Sequence, residues 1–333
     1  MKSVLLVRLS AMGDVVQGLG AAAALRAVRP EGRTTFVTQA GFAPLVQGAP
    51  GIDRVVTFER RGGLAAVWRV RQQLRAESYD VALDLQGNWK SALVTRLSGA
   101  RLRLGMAGPW RQEPASRLLL HRTVASPAIP HPARAAWELV RAIAPGAPFW
   151  LPRLVATPAE VAAERAALAA LGVAADRPFR LLVVTDPADP RALHSEILAA
   201  LARSPDLPPV QVLGPAEAAL PGLAGVPCVR HGLGEVRRLV ALGAVVAAAG
   251  GEVCGPDQGA SHVLAAAGAR CQVWFGAQDP RRTAPPGAVA LVHPEPPACA
   301  PCRQRQCTHA QGPVCMQFPP GAARRVDPQW PTA

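Results

Sequence analysis

Lysine is almost missing from this chain: only Lys2 and Lys90 occur among its 36 basic residues, and the other cations are arginines. Ala, Gly, Pro and Arg are abundant together, which fits a genome-wide base-composition bias as well as a surface selected for anionic partners. On the second reading the formal net charge of +13 would attract a nucleotide diphosphate, an acidic glycolipid at a membrane face, or nucleic acid. Aromatics are scarce at 5%, with a single Tyr, so the chain lacks the interleaved basic and aromatic residues of a nucleic-acid binder. The same scarcity argues against an aromatic-rich β-sandwich and for an aliphatic core of helices and buried parallel strands. Long apolar runs are also missing. The longest, Leu239 to Ala249, is about half of the ~20 residues that span a bilayer, and Gly250, Gly251 and Glu252 close it. The first apolar run, Val4 to Val7, is cut by Arg8 and is too short for a secretory leader. The expectation is a cytoplasmic chain, at most peripheral at the inner membrane.

A length of 333 residues allows two domains of ordinary size. Val4–Val7, Thr34–Thr38, Val55–Phe58 and Val81–Leu85 read as short buried strands. Between them Val15–Val28, Leu64–Glu77 and Ser91–Leu97 read as helices, the second exposing Arg69, Arg71 and Arg75. After a Pro-rich stretch at 125–158, read as the interdomain connection with one helix at roughly Ala133–Ala144, the alternation resumes. Helices are expected at Val161–Leu171, Ser195–Arg203, Val236–Leu242 and Ala260–Ala267, and strands at Leu181–Val184, Val210–Leu213 and Cys271–Phe275. Strands alternating with helices imply doubly wound parallel sheets. The fold class is α/β, with two Rossmann-like domains at 1–155 and 156–333 and a cleft between them as the natural ligand site.

Four ordered segments resemble one family. Val7-Arg8-Leu9-Ser10-Ala11-Met12-Gly13-Asp14-Val15-Val16 is similar to the opening strand–turn–helix of bacterial heptosyltransferases, glycosyltransferase family nine. Tyr79-Asp80-Val81-Ala82-Leu83-Asp84-Leu85-Gln86-Gly87, followed by Lys90-Ser91-Ala92, resembles their Tyr-Asp-x-x-x-Asp-x-Gln-Gly segment. Gly255-Pro256-Asp257-Gln258-Gly259-Ala260-Ser261-His262 resembles their Asp-Thr-Gly-x-x-His loop, and Phe275–Pro280 with Arg282-Thr283 resembles what usually follows. The resemblance implies a GT-B fold and an inverting transfer of a heptose-like sugar from an ADP-sugar donor. It implies a lipopolysaccharide-core precursor, or another anionic glycolipid, glycan or protein acceptor, on the N-terminal side and nucleotide on the C-terminal side. It implies no catalytic cofactor, and the scarcity of aromatics already speaks against a nucleic-acid partner.

Inversion needs a base near the acceptor hydroxyl. Asp14 follows Gly13 at a strand-to-helix turn where backbone can approach a ligand. It matches the family's proposed base, and its plainer reading is a helix cap. Ser10, Met12 and Gly13 share that turn as substrate contacts by resemblance. The departing diphosphate needs donors, and Gly255–Gly259 opening a helix supplies free amides and a positive dipole end. Asp257, Gln258, Gly259 and His262 would shape that loop or touch ribose or sugar; the plainer reading of His262 is a packed helix residue. Thr185, after the first strand of the second half, joins them by resemblance. The family's Lys-x-Trp-Pro is absent: Ala192-Leu193-His194-Ser195 stands there, and Gln258 replaces the loop Thr. Arg191 or Arg281 can supply the lost cation, with a different geometry and reach. Glu217 matches a nucleotide-contacting position, and its plainer reading is a solvated loop residue. These departures leave a second reading open, a non-catalytic relative that binds a ligand without turnover. Arg101, Arg103, Arg111 and Arg117 can face an acidic acceptor or simply solvent.

Of seven cysteines, Cys228, Cys254 and Cys271 read as small buried side chains. Cys299, Cys302, Cys307 and Cys315 form C-x2-C-x4-C-x7-C in a Pro- and Arg-rich loop, 299–315, without a core of its own. Four thiolates there can close a structural Zn or Fe site, or stand as reduced thiols.

Overall fold

Val4, Leu5, Leu6 and Val7 are all fully buried, as a strand covered on both faces requires. They form β1 (Ser3–Val7), the middle of a parallel sheet that organises the first half of the chain. The protein is described here by a computed structural model covering residues 1–59, 61–108, 111, 113–125, 131–232 and 234–328. The chain divides into two compact units between Arg153 and Leu154.

Unit 1 runs β1, α1 (Met12–Val28), β2 (Arg33–Gln39), α2 (Ala43–Val46), β3 (Arg54–Phe58), α3 (Gly63–Arg75), β4 (Val81–Asp84), α4 (Trp89–Leu97), β5 (Leu102–Met106), β6 (Arg122–Val124) and α5 (Pro132–Arg141). The sheet order is β3-β2-β1-β4-β5-β6, parallel throughout. Leu5, Val7, Val37, Val56 and Ala82 meet Ala66, Val70 and Leu74 of α3 and Val94 of α4 on one face. α1 packs against α5. That contact corrects the reading of 125–158 as a connection: α5 buries Ala133, Ala135, Ala136, Leu139 and Val140 within unit 1, and residues 126–130 lie outside the described residues. α1 carries Gly20 where a Cβ would stand 2.2 Å from the Trp150 carbonyl oxygen, so the helix–segment approach needs a glycine.

Unit 2 runs α6 (Pro158–Ala170), β7 (Arg180–Val184), α7 (Ser195–Arg203), β8 (Pro209–Leu213), β9 (Cys228–Arg230), α8 (Val236–Ala248), β10 (Glu252–Pro256), α9 (Gly259–Ala266), β11 (Arg270–Phe275), α10 (Pro280–Thr283), β12 (Val289–Val292) and β13 (Arg324–Val326). Its order is β13-β12-β11-β10-β7-β8-β9, with only β13 antiparallel among the described pairings. Thr157 and Glu160 form a reciprocal capping box at the start of α6. The apolar run Leu239–Ala249 lies largely in α8, which extends beyond the expected Leu242 because Gly250, with φ +69°, is its first strong stop. Arg103 and Arg111 are 8% and 5% exposed, so neither faces an acceptor as expected. In both sheets chain order reverses beside the first strand, between β1 and β4 and between β10 and β7, where doubly wound sheets bind ligands.

Candidate active site

In unit 1 the segments after β1 and β4 meet at this reversal. Gln86 Oε1 accepts from the Leu9 amide at 2.8 Å and the Ser10 amide at 3.3 Å. Asp84, with 0% exposure, accepts from the Gln86 and Gly87 amides at 3.1 and 3.0 Å through Oδ1. Its Oδ2 accepts from Arg111 Nη2 at 2.9 Å, a fully buried ion pair. Arg111 in turn donates to Ser116 Oγ and the Met106 carbonyl. One strand end thus fixes the turn that opens α1. Asp84 and Gln86 have no role assigned from the motif alone; their signal in the sequence is a polar pair ending an apolar strand.

Asp14 is the third residue of α1. Its Oδ2 accepts from the Ala11 amide at 3.3 Å and pairs with Arg8 Nη2 at 2.5 Å. Arg8 is buried and also donates to the Leu85 carbonyl. The Asp14 side chain remains 33% exposed. The carboxylate thus ties down the helix start and leaves an edge to solvent. Gly13 is buried beside it, while Ser10 and Met12 are half-buried.

In unit 2 the loop after β10 carries a dense polar network. Asp257 Oδ1 lies 3.2 Å from His262 Nε2, and its Oδ2 accepts from Thr283 Oγ1 at 2.8 Å. Gln258 caps no amide of α9; its Nε2 donates to Asp189 Oδ2 at 3.0 Å. Gly259 is the first residue of α9, whose opening amides have no intrahelical acceptor. Ser261 Oγ donates to the Pro256 carbonyl at 2.8 Å and steadies the turn.

Arg191 sits in the same network, but its charge is already countered. Its Nε and Nη2 hold Asp189 at 3.0 and 2.7 Å, and Nη1 reaches the Asp257 carbonyl at 3.2 Å. Arg281 repeats the arrangement on Asp279, at 3.1 and 2.9 Å. Both belong to an Asp-Pro-Arg tripeptide, at 189–191 and 279–281, in which the Asp also accepts the Arg amide. The repeated tripeptide is the sequence signal of both pairs. Burial alone would depress the Arg191 guanidinium; the Asp189 hydrogen bonds and charge reverse this and raise it, while the same contacts outweigh burial and lower Asp189.

Thr185, which follows β7, is buried with its hydroxyl unpartnered among the described residues. It borders a cavity of about 320 Å³ lined by Val184, Ala192, His194, Leu220 and Met316 among others. Glu217, half-buried in a 3-10 turn, and His231 converge on Gly214: a Cβ there would lie 3.0 Å from Glu217 Oε2 and 3.4 Å from His231 Nε2. Burial pushes the His231 imidazole down.

Cys299, Cys302, Cys307 and Cys315 line one small cavity of about 20 Å³ together with His309. All are free thiols, and burial, then the neighbouring cysteines, push Cys315 up to about 11. Among the described residues no three His, Cys, Asp or Glu side chains converge as an ion's ligands. Arg303, after the C-x2-C step, has φ +59° and donates its amide to the Ala277 carbonyl at 2.7 Å, docking the loop on unit 2.

Residues 67–179 match the family described as glycosyltransferase family 9 (heptosyltransferase). Lipopolysaccharide heptosyltransferase 1 of Pseudomonas aeruginosa is 32% identical over 124 residues, 34% of this chain and 35% of that protein. Its namesake in Escherichia coli K12 is 33% identical over 129 residues, 36% of this chain and 40% of that protein. The matched stretch therefore spans between a third and two-fifths of these relatives. Among solved structures, a family 9 glycosyltransferase from Veillonella parvula superposes with a TM-score of 0.73 at 15% identity, covering 87% of this chain and 85% of that one. The E. coli ADP-heptose lipopolysaccharide heptosyltransferase II gives 0.66 at 21% identity, covering 88% and 90%. The E. coli heptosyltransferase WaaC with ADP gives 0.63 at 23% identity, covering 84% and 88%. These likenesses, with two parallel α/β units, establish the GT-B fold.

Proposed function

We propose that this chain, whose residues 67–179 match glycosyltransferase family 9, is a member of that family and transfers a heptose-like sugar from an ADP-sugar to an acceptor hydroxyl with inversion. The observation that carries the reading is Asp14, held in one orientation by Arg8 and the Ala11 amide while still one-third exposed. In the proposed step the acceptor oxygen attacks the anomeric carbon. Asp14 takes the hydroxyl proton, and the anomeric carbon–oxygen bond to the diphosphate breaks with its electron pair leaving on ADP. The opening amides of α9 stabilise that growing charge, with Asp257, His262 and Thr283 holding the loop in shape. Glu217 and Thr185 contact the nucleotide. The acceptor is an anionic lipopolysaccharide-core or related glycan, and the work is done at the cytoplasmic face of a membrane. No described helix is long and apolar enough to cross one.

The pairing of both Arg191 and Arg281 with aspartates favours a second reading, binding without turnover, because no unpaired cation replaces the family lysine at those positions. Calorimetric titration with ADP, UDP and GDP, with free nucleotide measured after adding ADP-heptose, separates the two. The transferase reading expects ADP binding and nucleotide release that rises with acceptor. Binding without release supports the silent relative, and binding of no nucleotide removes both.

The cysteine loop is proposed to close on one structural Zn or Fe ion through its four thiolates, which line one cavity but would have to draw together to ligate it. It takes no part in sugar transfer. Metal analysis of protein purified without chelators should find about one equivalent per chain; a value near zero removes the site.

A further inference from the structure

Three neighbouring elements of unit 1 share one pattern. α3, α4 and the 3-10 turn Pro114–Leu119 follow β3, β4 and β5 and so start at the same carboxyl edge of the sheet. α3 packs on α4, and α4 on the turn, where the Trp89 amide donates to Glu113 at 2.5 Å. Together they carry Arg69, Arg71, Arg75, Lys90, Arg96 and Arg117 and no acidic residue. Arg69 pairs with Glu59 at 2.7 Å; among the described residues the other five form no salt bridge.

The same elements expose large apolar side chains. Leu64 is 88% exposed, Trp68 57%, Trp89 44%, Leu93 37% and Leu118 75%. Leu64 and Trp68 stand four apart in the first turns of α3, and Trp89 and Leu93 four apart in the first turns of α4, so each pair forms one stripe. The unpaired arginines follow further along: Arg71 and Arg75 on α3, Arg96 on α4. Seven residues separate Trp68 from Arg75, which places the cation about 10 Å behind the ring along the helix axis. An apolar tip with a basic band that far behind it suits a bilayer surface, where apolar groups enter about 5–10 Å and cations meet the phosphates.

We propose that this face docks the protein on an anionic lipid bilayer, with the first turns of α3 and α4 and Leu118 inserted and the arginines against the headgroups. Leu64, Leu93 and Leu118 decide the occupant: aliphatic tips gain from acyl chains and gain little from stacking on bases. The face lies on the same sheet edge as the Asp14 turn, so a lipid-anchored acceptor would arrive at that edge. The inference goes beyond the proposed transfer, and it can fail or stand without it, because lipid binding is read in the absence of any sugar nucleotide.

The test is co-sedimentation of the full chain with vesicles of phosphatidylethanolamine and phosphatidylglycerol, against vesicles of phosphatidylcholine alone. Retention on the anionic vesicles should be at least about tenfold greater and should fall steeply in 0.5 M salt. L64S/W68S and W89S/L93S should each lower it about tenfold or more while leaving the thermal unfolding midpoint within about 3 °C. Equal retention on both vesicle types, retention unmoved by both double variants, or full displacement by a stoichiometric single-stranded RNA would each overturn the proposal. Should one double variant misfold, the other carries the comparison.

Discussion

Replacing Arg111 with Met removes the only cation paired with Asp84 among the described residues, at a position where both side chains are at most 2% exposed. The methionine fills much of the volume, so the cost arises from a stranded carboxylate more than from a cavity. Breaking a buried ion pair from one side typically costs ~3–5 kcal/mol. Asp84 Oδ1 keeps the Gln86 and Gly87 amides, so the lower end, about 3 kcal/mol, is expected. For a unit of this size that lowers its unfolding midpoint by roughly 6–12 °C. Removing both charges in D84N/R111M should recover at least half of the loss, because the stranded charge has gone. Differential scanning calorimetry of wild type, both single variants and the pair gives the coupling. Hydrogen exchange at residues 84–88 locates it. The reasoning is wrong if R111M costs under about 1 kcal/mol, or if the double variant is no better than R111M alone.

Gly20→Ala should destabilise. Helix propensity alone favours Ala by about 1 kcal/mol, yet a Cβ would stand 2.2 Å from the Trp150 carbonyl, so a lower melting temperature is expected and a higher one contradicts the packing. Arg237→Gln should change the acid limb of stability. Arg237 hydrogen bonds hold the Glu160 carboxyl at about 2, below its unfolded value, so its contribution is present above the unfolded pKa and is lost as pH falls through about 2. The pair is partly exposed, so R237Q should cost about 0.5–1 kcal/mol at pH 7. That difference from wild type should shrink between pH 4.5 and 2 in denaturant titrations; a pH-independent difference contradicts the linkage.

Most of the fold was legible because the strands are short aliphatic runs buried on both faces, as Val4–Val7 and Leu181–Val184 show. β5 was hidden by Arg103 and Gly105 inside the strand. Arg103 is buried with its guanidinium donating to the Leu119 and Ala100 carbonyls, and Gly105 leaves room for Arg111, which a Cβ would meet at 2.7 Å. β10 was hidden because its last residues, Gly255 and Pro256, read as a turn. α5 was legible as a helix, expected near 133–144 and found at Pro132–Arg141, but the prolines around it placed it in a connection rather than in the packing of unit 1. At the candidate site, residue types and spacing pointed to Asp14 and the loop at 255–262. Partnerships between distant segments were not legible: Gln86 on the Ser10 turn, Thr283 on Asp257 and Gln258 on Asp189 depend on which strands lie side by side.

Asp14→Asn most directly tests whether this carboxylate is the base. The amide keeps the size of the side chain and an oxygen for the Ala11 amide but cannot take the acceptor proton. With ADP-heptose and a lipopolysaccharide-core acceptor, kcat should fall about 10²–10⁴-fold while the donor Kd stays within about twofold. Unchanged turnover, or a loss confined to donor affinity, would contradict the account.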